Sequence, residues 1–250
     1  MSDPRRHRAE APRWPPRDAT APRAHPRASW MMALEQAVRP QLEGARAARN
    51  PRRRILDAFV QTVAREGYAD ARLEAVLELA RVPEPVFQEH FEDKEHCMTV
   101  ALEELVDGLS QLIRVRVSVV ELWPERVRVA LQTLLVGLAC HPEGARLAFV
   151  EYLGAGERPV AHMRAAAAGA VPALEQGRQQ GEDTAHLPPQ ASEAIVGGIA
   201  SILHRHVLDG RTAELPQLLG DLTYFALLPY LGHARALQAS TADSPSYFLE

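Results

Sequence analysis

From Asn50 onward the apolar residues recur at helical rather than strand spacing. Ile55, Ala58, Phe59, Thr62 and Val63 fall three or four apart between Asn50 and Gly67, which predicts an amphipathic helix. Asn50-Pro51 is its start signal. The Asn side chain accepts a free N–H of the first turn, and Pro at the first helical position has no N–H to lose. Gly67 is its stop, and Tyr68 is expected to fold back on it. Asp70 is expected to cap a second helix with Leu73, Val76, Leu77 and Ala80 inward. The turn Arg81-Val82-Pro83 leads to a third, short helix with Val86, Phe87 and Phe91 inward, and Asp93 is expected to cap a fourth from Lys94 to about Val120.

The later pattern is helical as well. Trp123-Pro124 opens a helix with Val127, Leu131, Leu134, Leu135 and Leu138 on one side, ending near His141-Pro142. Another runs from Pro142 through Leu147, Val150 and Leu153 to Gly154. An alanine-rich helix is predicted from Val160 to about Gln180, then a polar loop, GEDTAHLPPQ. Two long apolar helices, about Ala191–Leu208 and Leu215–Leu237, close the chain. No stretch alternates in the manner of a hairpin, so the fold class is all-α. The Val-rich run Arg114–Val120 suits a strand almost as well, because β-branched side chains favour extended backbone.

Charge separates the ends of the chain. Residues 1–54 hold 13 Arg against five acids, a net of about +8, while the whole chain carries −4. Residues 1–28 are mostly Arg, Pro, Ala and His without an apolar period, a composition expected to be disordered. Ala33–Ala48 is read as a short arm or helix, and Met31 or Met32 as an alternative start of translation. The organisation expected is a basic Arg/Pro-rich tail (1–49), a three-helix head (50–97), a larger helical body (98–238) and a short tail (239–250). No apolar run is long enough for a membrane span. Cys97 and Cys140 fit a reducing cytoplasm and no disulfide framework.

Several motifs in the head coincide with a known pattern. They are Arg54-Ile55-Leu56, Ala64 through Gly67-Tyr68, Val76 through Ala80, Val82, Phe87, His90-Phe91 and Asp93-Lys94-Glu95. This block resembles the N-terminal domain of TetR-like (TetR/AcrR) bacterial transcription regulators, over about 45 of 250 residues. Pro229-Tyr230-Leu231-Gly232 resembles the C-terminal end of many such proteins. The resemblance implies a helix-turn-helix head that binds operator DNA, a body that binds a small-molecule effector and dimerises, and usually repression. It also implies a backbone contact for Lys94. The chain departs from the family at Arg72 (usually Thr), Arg81-Val82-Pro83 (Gly-Val-Ser), Val86 (Thr) and Gln88 (Tyr).

The third helix therefore admits two readings. As a reading helix, Gln88 pairs with adenine and Glu84 or Glu89 accepts from the cytosine amino group, at about 1–3 kcal/mol of discrimination each. Pro85, Val86 and His90 complete its DNA-facing set. Arg52, Arg53, Arg54, Arg72 and Lys94 supply phosphate or minor-groove contacts. In the other reading the head keeps its core but no longer reads DNA, since two glutamates facing a groove repel the phosphates. The fold is then a ligand- or protein-binding module.

In the body, Leu109, Ile113, Trp123, Leu134, Leu138, Phe149 and Tyr152 are the effector-lining candidates, and plain core is their competing role. The acidic body favours a cationic or neutral apolar effector. Ala194, Ile195, Gly197, Gly198, Ala200 and Ser201 place small residues along one helix. The last helix is apolar on more than one side. Both point to a two-fold, four-helix dimer face, or to two interior helices. His204 and His206 lie two apart and cannot share a helix face, so they make a poor metal pair. His162 and His186 stand alone. With no nucleophile–base constellation, CxxC or Gly-rich phosphate loop, no enzyme activity, cofactor or metal is expected.

Overall fold

The computed structural model describes residues 50–180, 184 and 187–241. The arginine-rich tail, the expected Ala33–Ala48 arm, Met31, Met32 and His186 lie outside the described residues. Within them every regular element is helical. In chain order these are α1 (Pro51–Glu66), α2 (Leu73–Ala80), α3 (Glu84–His90), α4 (Lys94–Val117), α5 (Trp123–Cys140), α6 (Pro142–Phe149), α7 (Glu157–Glu175), α8 (Ala191–Leu208) and α9 (Leu219–Thr241). Short 3-10 turns at Glu151–Gly154, Gln176–Gln179 and Thr212–Leu218 join the later ones.

The helix signals of the head are physically realised. Asn50 Oδ1 accepts the Arg52 N–H at 3.0 Å, and Asp93 accepts the His96 N–H at 2.7 Å. Gly67, at φ +84°, ends α1 by donating to Val63 O at 2.8 Å. The expected cap at Asp70 is corrected. The chain first closes a turn, Ala71 N–H to Gly67 O at 3.0 Å, and α2 begins only at Leu73. Arg72 holds the cap position with no side-chain acceptor, and Asp70 comes two residues too early to meet the free N–H groups.

Two hydrophobic cores result. The first unites α1–α3 and the start of α4 around Ile55, Phe59, Phe87 and Phe91, all essentially excluded from solvent. Burying one such ring is worth roughly 1.5–3 kcal/mol. Leu147 and Ala148 of α6 and Ala155 belong to this same core, so α6 docks the body directly onto α1. The second core, built from α5, α8 and α9 with Leu174 of α7, fills the body.

Several body boundaries differ from expectation. Val150 leaves helical space (φ −124°, ψ −61°), so α6 stops at Phe149 and Leu153 is exposed on a 3-10 turn. α7 starts earlier, at Glu157, because Gly156 turns the chain at φ +116°. A Cβ at Gly156 would sit 2.5 Å from Glu95 Cδ, so that carboxylate occupies the space only glycine leaves. α4 is helical through Val117 and the Val-rich run then turns. The last helix begins at Leu219 and reaches Thr241, into the stretch expected as tail. It is interrupted at Gly232 (φ 72°, ψ 173°), three residues after Pro229, which offers the ladder no N–H.

Candidate nucleic-acid interface

The turn between α2 and α3 sets how α3 is presented. Arg81 lies in the left-handed region (φ 54°, ψ 48°). Its N–H donates to Glu78 O and that of Val82 to Leu77 O, both at 3.1 Å. This pair of bonds is the helix-ending motif that glycine ordinarily serves, and an L side chain there costs about 1–2 kcal/mol. Pro83 then caps α3 without a side-chain bond. Phe87 points into the core, and Glu84, Pro85, Gln88 and Glu89 are exposed, with Val86 and His90 half-exposed. Gln88 Nε2 donates to Glu84 Oε1 at 3.3 Å, so part of its recognition capacity is engaged along the helix.

Four of the five cations expected on phosphates also meet groups of the protein itself. Arg52 pairs with Glu104 at 2.5 Å and lies 5.9 Å over the Phe91 ring. Arg53 pairs with Asp57 at 2.9 Å and with Glu104 at 3.3 Å. Arg54 donates to Ala80 O, and to Arg81 O at 2.7 Å, where cationic charge suits the carbonyl end of α2. Lys94 donates to Tyr68 O at 2.6 Å and Ala71 O at 3.0 Å, with its ammonium 4.2 Å over the Tyr68 ring. Burial lowers the Lys94 pKa, partly offset by Asp70. Sequence spacing did not reveal these roles because Glu104 and the receiving carbonyls lie 23–52 residues away.

What remains outward is largely acidic. Arg72 and Arg81 are exposed, and neither has a side-chain partner among the described residues. Glu74, Glu78, Glu84 and Glu89 are exposed on α2 and α3. An open concavity of about 470 Å³ lies across the turn, lined by Glu74, Leu77, Glu78, Arg81, Val82, Pro83 and Glu84.

A joint not anticipated from sequence ties head to body. The Tyr68 N–H donates to Glu151 Oε2 at 2.8 Å, and Glu151 Oε1 pairs with Arg146 at 2.8 Å. Glu95 Oε1 accepts the Arg158 N–H at 3.0 Å. Burial, then the carboxylates of Glu95 and Asp93, push the Tyr68 phenol up to about 12.

The seven effector candidates are not gathered in one chamber. Trp123 and Leu138 are buried in the body core, with Leu109 and Leu134 packed against it. Phe149 touches both cores, Tyr152 packs on the head's core, and Ile113 is half-buried on α4. Leu109 Cδ2 lies 2.5 Å from where a Gly137 Cβ would be, so it closes the α4–α5 contact. Trp123 donates its indole N–H to Ala173 O at 2.8 Å and meets the Tyr230 ring edge-on at 5.4 Å. Beside it, Ser192 bridges Glu175 and the Tyr230 hydroxyl. Glu175 is held below the usual carboxylate range, first by that Ser192 bond and then by Arg178.

On α8, Ala194, Gly197 and Ser201 are exposed while Ile195 and Ile199 point inward. Phe225 of α9 lies over Gly198, 3.1 Å from its Cβ position, yet remains 41% exposed. His204 and His206 each meet a backbone carbonyl, of Phe149 and Ile202. Among the described residues no His, Cys, Asp and Glu cluster suits a metal, and no helix is long and apolar enough to cross a membrane.

No family model and no curated protein sequence matches the chain. Solved structures do resemble it. The fatty acid degradation regulator FadR from Bacillus halodurans is similar with a TM-score of 0.64 at 19% identity, covering 70% of this chain and 94% of its own. The transcriptional regulator FadR from Bacillus subtilis, solved in complex with stearoyl-CoA, is similar with a TM-score of 0.63 at 18% identity, covering 72% and 97%. At such identity the likeness is one of fold alone: an all-helical architecture with a three-helix head and a helical body.

Proposed function

We propose that the chain is a DNA-binding transcription regulator of TetR-like type, acting as a homodimer and released from its operator by an apolar small molecule. The observation that carries the reading is the helix-turn-helix itself. The α2–α3 turn keeps its helix-ending bonds, Phe87 anchors α3, and Gln88, Glu84 and Glu89 project from the outer face. The fold likeness to two FadR regulators supports it, and stearoyl-CoA in the Bacillus subtilis protein suggests a fatty-acyl effector here. The exposed Ala194, Gly197 and Ser201 stripe with Phe225 is the dimer face, since small residues let a partner helix approach closely.

In this reading Gln88 contributes base recognition, and Arg72 and Arg81 contribute phosphate contacts. Lys94, half-exposed at the start of α4, is a further candidate for a phosphate contact. A second reading is favoured by one specific observation, the inward capture of Arg52, Arg53 and Arg54. A head that has spent these cations internally serves as a docking module without operator specificity.

A gel shift with the DNA upstream of the chain's own gene separates them. Saturable, sequence-dependent binding that weakens steeply with salt supports the regulator. Gln88→Ala should then lose about 1–3 kcal/mol of discrimination at one base pair, and Arg72→Ala should weaken all sequences alike. Binding that survives unchanged in both variants supports the second reading.

A further inference from the structure

The corner between α3 and α4 holds a cap that only an uncharged imidazole can make. We infer that His96 is a pH-sensitive lock on the placement of α3, closed while its ring is neutral and opened when the ring takes a second proton. As a control on DNA binding, this rests on the regulator reading above.

Geometry comes first. Asp93 caps α4, and its carboxylate accepts the His96 N–H at 2.7 Å. His96 is the third residue of that helix, and its side chain reaches back across the corner: the Glu92 N–H donates to its Nδ1 at 3.1 Å. A backbone N–H can only donate, so Nδ1 is the acceptor and the single proton of the ring sits on Nε2. The two bonds form a reciprocal cap of the kind that Glu or Gln at the third position ordinarily completes. With histidine in that role, the acceptor can be titrated.

Proton chemistry comes second. Histidine is the side chain whose charge ordinarily changes between roughly pH 5 and 8. The second proton comes from solvent and takes the Nδ1 lone pair, which leaves two N–H donors facing each other. The new cation also stands at the N-terminal end of α4, where the helix dipole disfavours positive charge. The carboxylates of Glu92 and Asp93 favour that cation and draw the ring off the amide. The Glu92 carboxylate is already paired with Arg158 of α7 at 3.2 Å, so the protonated ring competes with Arg158 for it. The other charges of the corner are engaged elsewhere. Glu95 accepts the Arg158 N–H, and Lys94 donates to the carbonyls of Tyr68 and Ala71.

Placement carries the consequence. Phe91, Glu92 and Asp93 are the whole link between α3 and α4. The His96 ring meets the ring of Phe91 edge-on at 6.0 Å. Phe91 is buried at the end of α3, with the His90 ring at 6.4 Å and Arg52 of α1 5.9 Å over its face. Freeing the Glu92 amide and withdrawing the imidazole loosens both the backbone and the packing that fix the end of α3. The outer face of that helix keeps its residues unchanged, so the switch acts on where the face lies.

The test is an NMR titration of the full-length chain from about pH 8 to about pH 5, following the ring nitrogens of His96 and the amide of Glu92. In the neutral ring the proton should be found on Nε2. On acidification the Glu92 amide should shift as a lost hydrogen bond does, with the midpoint of the ring. In H96Q, whose amide oxygen accepts without titrating, the Glu92 amide should stay bonded throughout. A neutral ring protonated on Nδ1, a Glu92 amide that ignores the ring, or one that titrates equally in H96Q overturns the inference. Gel shifts on operator DNA read the consequence. Between about pH 7.5 and about pH 5.5 the wild type should lose about fivefold more affinity than H96Q, the scale of one hydrogen bond. H96A, which offers no acceptor, should already be weakened at the higher pH. Equal losses in wild type and H96Q overturn the control of DNA binding. No DNA binding at any pH overturns the regulator reading instead, and the titration of the Glu92 amide then decides the lock by itself.

Discussion

The Tyr68 N–H donates to Glu151 Oε2 across 83 positions of sequence, at 2.8 Å. Glu151 is nearly buried and shares its other oxygen with Arg146, so one carboxylate joins the loop after α1 to α6 and the 3-10 turn behind it. Replacing it with alanine should cost about 2 kcal/mol, the scale for losing a hydrogen bond to a charged group in a shielded place. Urea denaturation measures this directly. Glu151→Gln should cost less, since an amide oxygen still accepts from Tyr68.

Arg81 offers the opposite sign. Its left-handed backbone is strained, and its exposed side chain makes no bond among the described residues. Arg81→Gly should therefore stabilise by roughly 0.5–1 kcal/mol, the relief of strain less glycine's larger unfolded entropy. An unchanged or lower urea midpoint would count against the strain.

For Lys94, measuring stability and DNA binding together separates its structural role from the proposed phosphate contact. Lys94→Met removes both bonds to the Tyr68 and Ala71 carbonyls and should cost about 1–3 kcal/mol, read as a lower thermal midpoint. A variant that keeps full stability yet weakens DNA binding would make Lys94 a phosphate clamp first.

Alkaline titration tests the burial of Tyr68. Its folded pKa of about 12 exceeds the ordinary value of 10.0, because burial and nearby carboxylates disfavour the phenolate. The neutral phenol's contribution is complete below pH 10.0 and is lost as pH rises toward about 12. Tyrosinate absorbance should show a late step in that window, diminished in Tyr68→Phe. Tyr230 is also raised, first by its burial.

Local signals in the sequence carried the head well. Asn50, Gly67 and Asp93 each act through a backbone group within four residues, and Phe87 and Phe91 declare themselves by spacing. The contacts that spacing does not show share one cause. Arg52 and Arg53 meet Glu104 of α4, and Arg54 and Lys94 meet backbone carbonyls of other segments. A spacing rule sees none of these. Asp70 does not cap α2 because the turn after Gly67 takes one more step before that helix begins. In the body, the interruption at Gly232 was hidden by an unbroken apolar pattern, since hydrophobic period reports which face is buried and not whether the axis runs straight. The same pattern does not distinguish an effector-lining wall from a core filling, so Trp123 and Leu138 fit either role by spacing alone.

Arg178 donates to the carbonyls of Leu187 and Pro188 at 3.0 and 2.7 Å, while its own carbonyl accepts from Thr184. Ser192, one turn farther on, is fixed by Glu175 and Tyr230. The end of α7 and the start of α8 are thus fastened to each other through Arg178 and Ser192, two polar side chains outside both hydrophobic cores. In consequence a single polar substitution at this junction can loosen how the two helices sit together while leaving both cores intact, a way to tune the body without touching the head.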